Sequence, residues 1–303
     1  MLPTAKELFL YGNLGLAENT APRDLLEERF FYSIRLSNGT HKRTWAGRLD
    51  DVDQLLIAVF QKLGVVPETF LDVAVSSGVS TVMWLDSLRQ AGLRPSMTAT
   101  DLTMTAYLVR LNSWLHVLVD KKGFPLQYDV IGLVWRPRCR IRFYVLGNGV
   151  LTVFWHFLYR KVAKRFSLIT RLESLGPNPP TKDDPLIKAQ IKLVTHRLRD
   201  NKDIELLDDD IMAATPDHLK RRFEVIRAAN ILNRGYFPAQ QLRAAVRNLR
   251  DRLIGPGAFL LIVRTEETGS NHGSIFRLDA NGSFGVLERV GRGSEIEDIV
   301  LSI

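Results

Sequence analysis

Leu71-Asp72-Val73-Ala74-Val75-Ser76-Ser77-Gly78-Val79-Ser80-Thr81 is the stretch whose reading decides the fold. Phe70–Val75 is a short apolar run of the kind that forms a strand buried on both faces of a parallel sheet. It breaks into Ser76-Ser77-Gly78, small residues that let backbone N–H groups approach a ligand closely. The chain then enters a helix with Val82, Leu85 and Leu88 on one face, closed by Gly92. Further along, Ser96–Thr100 reads as a second strand ending at Asp101. Ile204–Leu207 reads as a third, ending in Asp208-Asp209-Asp210, and Phe223–Arg227 as a fourth. Leu242, Ala245, Val246, Leu249 and Leu253 recur at the spacing of one buried helical face, and the helix stops at Gly255-Pro256-Gly257 before the strand Phe259–Val263. The tail offers two more strand candidates, one around Phe276–Leu278 or Gly285–Glu288 and one at Ile299–Ile303. Strands alternating with helices predict an α/β, Rossmann-like, doubly wound and mostly parallel sheet, which binds ligands beyond the C-terminal ends of its strands.

The spacing breaks between the second and third strands. Roughly 100 residues separate Asp101 from Ile204, where a strand-helix-strand crossover needs ~30. The predicted organisation is therefore a helical N-terminal extension at 1–65, a core at 66–111 and 199–303, and an insertion at 112–198. In the extension, Asp50-Asp51-Val52-Asp53 sets acids at a helix N-terminus and Gly64 closes that helix as a C-cap. Phe30–Leu36, running into Asn38-Gly39, reads as either a strand or a helix. The insertion holds a turn-like Lys121–Pro125, then Arg136, Arg138, Arg140 and Arg142 at alternate positions. Phe143–Tyr159 follows without a charge, then Arg160, Lys161, Lys164 and Arg165, and a Gly-Pro-Asn-Pro-Pro linker at 176–180.

Across 303 residues, 46% hydrophobic and 24% charged side chains describe a globular chain, neither disordered nor a polytopic membrane protein. Lys and Arg number 41 against 33 Asp and Glu, a formal charge of +8 that admits an anionic partner. One cysteine, Cys139, excludes an internal disulfide framework and suits a reducing compartment. Met1–Glu7 lacks the basic start of a secretory leader, so the expected location is cytoplasmic, with peripheral membrane contact as an alternative. The six histidines show no zinc-enzyme spacing and there is no P-loop, so no metal site is expected. The insertion helix suits a buried cover over the site or, through 136–165, a membrane surface. Nucleic acid is not an expected partner, because the bases border an apolar segment instead of a polar groove.

The strand ends describe a pocket for an adenosine-like ligand. Asp101 is placed for both hydroxyls of a ribose, Asp209 and Asp210 for a nucleobase edge, and Ile211 for its face. LDVAVSSGVST (71–81), TATDL (98–102), LLDDDI (206–211), FEVIRAANILNRGYF (223–237) and QQLRAAVRNLRDRLIGPGAFLLIVRT (240–265) together resemble class I S-adenosylmethionine-dependent methyltransferases. The resemblance is nearest to chemotaxis-receptor-type and related small methyltransferases, and it covers residues 66–111 and 200–303. It implies S-adenosylmethionine as cofactor and methyl transfer to an O, N or C atom of a small molecule, and the basic clusters that bracket residues 143–159 point to an anionic or lipid-like one. It implies further that Asp72, Ser76 and Gly78 line the methionine part and that Asp101 meets the ribose, with Ala74 and Leu102 also among the cofactor-binding residues. Asp209, Asp210 and Ile211 would meet the adenine, and Ala228 to Asn230 would face the transfer site. The family's first loop usually carries three glycines; here two of those places hold Ala74 and Ser76. His116 and Tyr236 are the candidate general bases.

Two other function classes fit parts of the sequence. One is a catalytically idle cofactor-binding or interaction module, suggested by the missing loop glycines. The other is an α/β-hydrolase with an Ala-x-Ser-x-Gly elbow at Ser76, completed by Asp210 and His272 in the required chain order.

Overall fold

The computed structural model describes residues 2–10, 20–36, 42, 45–137, 146–176, 178–181 and 183–303. The turn at Asn38-Gly39, Cys139, Arg138, Arg140, Arg142 and the start of the uncharged run at Phe143 lie outside the described residues. The chain divides into two compact units, one of residues 1–43 and 103–195, the other of 44–102 and 196–303.

The second unit is the Rossmann-like sheet. Its strands are β1 (Thr69–Val73), β2 (Ser96–Asp101), β8 (Ile204–Asp208), β9 (Val225–Ala229), β10 (Phe259–Thr265), β11 (Asn271–Leu278) and β12 (Phe284–Val290). They lie in the order β12-β11-β10-β9-β1-β2-β8. β8, β2, β1, β9 and β10 are parallel, and β11 and β12 return antiparallel. The chain winds outward from β1 in one direction and from β9 in the other. The β1/β9 boundary is thus the topological switch point, where such sheets open a ligand crevice.

Helix α3 (Asp50–Leu63) carries its three acids in the first turn, and Gly64 closes it at φ 63°. α4 (Val79–Gln90) connects β1 to β2, and α8 (Ala239–Arg252) buries Leu242, Ala245, Val246 and Leu249 as its spacing predicts. Each of those leucines contributes about 2 kcal/mol of burial. Leu71, Ile226, Leu260 and Phe276 of four strands close this core from the sheet side. The last element departs from expectation. Residues 297–301 form helix α9 (Glu297–Leu301), not a strand, with Ile299 and Val300 turned into the core. Glu297 and Asp298 occupy its first turn, where acids favour a helix.

The first unit is built on an antiparallel sheet in the order β6-β5-β4-β3-β7. Its strands are β3 (Thr105–Arg110), β4 (Leu115–Asp120), β5 (Pro125–Val130), β6 (Leu133–Trp135) and β7 (Ile187–Lys192). α1 (Ala5–Phe9) and α2 (Thr20–Ser33) bury Leu8, Phe30, Phe31 and Ile34 with Ala106, Leu108, Leu118 and Leu126 of this sheet. Phe30–Ser33 is therefore helical. α5 (Leu146–Arg165) and α6 (Leu168–Leu175) pack with its Tyr107, Val117 and Tyr128. The predicted divisions move accordingly: 1–65 is shared between the two units, α3 going with the parallel sheet, and 103–111 joins the inserted strands. The reason is burial. The apolar sides of α1 and α2 are covered by strands that follow them by some 75–185 residues.

Candidate functional site

The site is built around the loop that leaves β1. Ala74, Ser76 and Gly78 sit at φ 58°, 61° and 83°, so three alternate residues occupy the left-handed region. Glycine adopts that conformation without penalty, whereas an L side chain pays of order 1 kcal/mol there. The loop thus keeps a glycine-type backbone while carrying two side chains. Val75 N–H donates to Thr100 O at 3.1 Å, Gly78 N–H to Val75 O at 2.9 Å, and Ser76 N–H to Asp101 Oδ2 at 2.8 Å. Asp101, at the end of β2 and buried, therefore holds the loop. Leu102 follows it, 48% exposed.

Gly78 is fixed twice over. Besides its φ, a Cβ at this position would stand 2.0 Å from Leu198 Cδ2 of α7 (His196–Arg199).

Asp72 is engaged within the fold. Both its oxygens are taken by Arg227, Nε to Oδ1 at 3.0 Å and Nη2 to Oδ2 at 2.7 Å, and Thr81 Oγ1 donates to Oδ2 at 2.7 Å. The other side of the guanidinium grips Asp53 of α3, Nη1 to Oδ1 at 2.8 Å and to Oδ2 at 3.1 Å. Nη2 also donates to Ser80 O, and the guanidinium carbon lies 4.2 Å from the Trp84 ring centroid. Arg227 is fully buried in the central strand β9. Burial alone would lower its pKa, but Asp53 and Asp72 hold it above the ordinary arginine value. This triad was not foreseen from the sequence. An arginine inside the otherwise apolar Val225–Ala229 strand was the available signal, since a buried cation needs a partner.

One guanidinium cannot fully offset two buried carboxylates, and burial pushes the Asp53 carboxyl up to about 6. A carboxyl raised in the folded state stabilises the protein fully below its unfolded value of 3.8, and that contribution is lost as pH rises through about 6. Relative to Asp53→Asn, the wild type should lose up to about 3 kcal/mol of unfolding free energy between pH 4 and pH 7. Urea unfolding of both proteins across that range measures it; a constant difference would mean that Asp53 does not take up a proton in the folded state.

Asp209 is engaged as well. Arg252 holds it by two hydrogen bonds, Nη1 to Oδ2 at 2.6 Å and Nη2 to Oδ1 at 3.2 Å. Asn248 of α8 donates to the carbonyls of Ile211 and Ala213. Asp210 is exposed and accepts from Met212 N–H within its own turn, at 2.9 Å. Ile211 is buried in the core beside Leu219 and Phe223. The loop after β8 is therefore anchored to α8 by the groups expected to meet an adenine.

Beyond β9, Ala228 is buried in the strand, and Asn230 sits at φ 62° with its N–H on Val263 O. Asn230 Oδ1 accepts from Thr265 N–H at 2.7 Å, and Thr265 Oγ1 donates to Asn271 Oδ1 at 2.8 Å. Asn271 Nδ2 reaches Asp51 Oδ1 and the Arg48 carbonyl. A polar chain thus ties the ends of β9, β10 and β11 to the start of α3. Tyr236 is 58% exposed on the loop after β9, its N–H held by Asn233 Oδ1 at 3.1 Å.

His116 is on β4 of the antiparallel sheet, paired with Arg110 and Asp129, and on no element of the parallel sheet. Burial, together with Lys6, pulls its pKa below the ordinary histidine value. The hydrolase elements do not assemble either. His272 Nδ1 accepts from Arg292 N–H at 3.0 Å, its Nε2 lies 3.5 Å from Glu266, and Asp210 caps its own turn.

No family model and no curated protein matches the chain. Among solved structures it is similar to the CMeT domain of the citrinin polyketide synthase, at 15% identity and a TM-score of 0.34, covering 73% of this chain and 36% of that one. It is similar to the N-methyltransferase NodS of Bradyrhizobium japonicum, solved with S-adenosyl-L-homocysteine, at 14% identity and a TM-score of 0.30, covering 73% and 67%. A sugar N-methyltransferase from a Streptoalloteichus species shares 10% identity at a TM-score of 0.34, covering 86% and 77%. All three TM-scores are below 0.5, and the chain spans little more than a third of the first of these proteins.

Proposed function

We propose that this chain is a class I S-adenosylmethionine-dependent methyltransferase acting on an O, N or C atom of a small molecule, anionic or lipid-like in character. The observation that carries the reading is the loop after β1. Its three alternate left-handed residues lie at the switch point of the sheet, and its Ser76 N–H is tied to Asp101 at the next strand end.

The residues fit the cofactor at some points and not at others. They fit at Asp101, whose carboxylate suits a ribose diol, at the backbone of 74–78, and at the exposed apolar edge of Leu102. They do not fit at Asp72 and Asp209, whose carboxylates are spent on Arg227 and Arg252, nor at Ile211, which belongs to the core. Bound S-adenosylmethionine supplies an electrophilic methyl group on a sulfonium sulfur. The chain's own contribution is to hold and orient the reactants, which is where most of the rate advantage of a positioned transfer arises. Tyr236 is the residue we assign to acceptor contact, as the exposed aromatic hydroxyl of the loop after β9.

Titration calorimetry with S-adenosylmethionine and S-adenosylhomocysteine tests the reading. Asp101→Asn keeps an acceptor for Ser76 N–H but removes the charge, and it should weaken binding about 10- to 100-fold without loss of folding. No heat with the wild type, or an unchanged affinity in the variant, would overturn the assignment. Product formation with a methyl acceptor then separates an enzyme from an idle binding module.

A further inference from the structure

α5 presents two different faces. One, formed by Trp155, Tyr159 and Val162, packs on the antiparallel sheet. Its orientation is fixed by two side-chain hydrogen bonds. Tyr159 OH donates to Gly123 O, and His156 stands 2.7 Å from Tyr128 OH through Nδ1 and 2.9 Å from Pro137 O through Nε2. A carbonyl only accepts, so Nε2 carries a proton toward Pro137 O.

The other face is turned outward and is apolar. Val150, Val153, Phe154 and Phe157 follow one another at i, i+3, i+4 and i+7, and all four are exposed, Val153 to 68% and Phe157 to 52%. Lys161 and Lys164 continue the same stripe at i+11 and i+14. Trp114, 41% exposed, stacks edge-on to Trp155 at 5.9 Å, and Trp155 to Phe154 at 5.0 Å, extending the patch onto the sheet. Ile131 joins it, 76% exposed, with its N–H on Trp114 O. The Lys161 ammonium lies 4.5 Å from the Phe157 ring, a lysine stem lying along apolar surface with its charge at the edge.

The charge of the chain is concentrated here. Residues 130–172 hold nine Arg and Lys and no Asp or Glu, leaving 32 bases against 33 acids elsewhere. The whole formal charge of +8 therefore comes from this segment. At the basic end of the stripe, Lys122, Arg160, Lys164, Ser167 and Thr170 line a groove of about 870 Å³. Its one carboxylate, Asp120, is buried and accepts the N–H groups of Lys122 and Phe124.

We propose that this face of α5 and α6 docks on an anionic phospholipid surface. Val150, Val153, Phe154 and Phe157 enter the headgroup–acyl boundary, and the basic groove receives a lipid phosphate. An exposed apolar stripe flanked by bases, with Trp at its margin, is the composition that seats a helix in a membrane interface. Arg160, Lys161, Lys164 and Arg165, all exposed at the end of the stripe, make that edge complementary to anionic lipid and repellent to cationic partners. No described helix is long and apolar enough to cross a membrane, so the contact is with the surface. The inference stands independently of the proposed methyl transfer.

Vesicle flotation of the full chain, without cofactor, tests it. The wild type should float with phosphatidylcholine vesicles containing 30% phosphatidylglycerol and stay behind with pure phosphatidylcholine. Raising the salt from 0.15 M to 0.5 M should release much of it. Phe154→Ser with Phe157→Ser should cut the bound fraction at least tenfold, and so should Lys161→Glu with Lys164→Glu. The lysine pair is exposed at its charged ends and keeps the test open should the serine variant fail to fold, which its circular dichroism reports. No flotation on anionic vesicles, or equal flotation on neutral ones, would overturn the proposal. So would release by millimolar inorganic phosphate with the serine variant still bound, which would make the groove a site for free phosphate. A wild-type dimer that the serine variant abolishes, without vesicle binding, would assign the face to a second copy.

Discussion

Arg227→Met should unfold the parallel-sheet unit at far lower denaturant than the wild type, a loss of about 3–5 kcal/mol. The substitution removes a cation that is fully buried and leaves Asp53 and Asp72 facing each other across apolar surroundings. Both must then protonate or remain charged without a partner, and either route costs stability. Typical domains have 5–15 kcal/mol in total, so the variant would be marginal. Asp53→Leu and Asp72→Leu added to Arg227→Met should recover much of the loss, because an emptied triad has no charge left to strand. Chemical denaturation of the single and triple variants decides this. Equal losses would show that packing around Trp84, not charge pairing, makes Arg227 indispensable.

Gly78→Ala should be comparably damaging, of order 3 kcal/mol, by a different route. The backbone there is left-handed, and the new methyl would overlap Leu198 of α7 at 2.0 Å. Strain and overpacking add at this residue. Ser76→Gly, two positions earlier, should go the other way and stabilise by up to about 1 kcal/mol, since its φ of 61° suits glycine better than serine. Thermal midpoints of the two variants should therefore move in opposite directions. A neutral Gly78→Ala would show that α7 can shift off the loop.

The parallel sheet was largely legible in the sequence. Five of its strands, α4 and α8 follow from apolar runs, a 3.6-residue period and small-residue turns, all of them local signals. The antiparallel sheet was not. Its strands Leu115–Asp120 and Pro125–Val130 are buried on both faces, so they show no clean alternation. Ile299–Ile303 is short and apolar, as a strand would be, but Glu297 and Asp298 in front of it start a helix.

The site divides along the same line. Asp101 stands where the strand ends predicted, and Ser76 and Gly78 form the turn that their small size implied. Asp72 and Asp209 occupy the expected strand ends, yet each serves an arginine. Sequence alone determined which residues stand at the C-terminal ends of the parallel strands, because strand ends and turns depend on neighbours a few residues away. Only the tertiary structure decided which of those carboxylates an arginine takes. The arginine that claims Asp72 lies 155 residues further along the chain, and its second partner, Asp53, is 174 residues away from it. Pairings of that range are set by how helices pack onto the sheet, and burial then makes them obligatory.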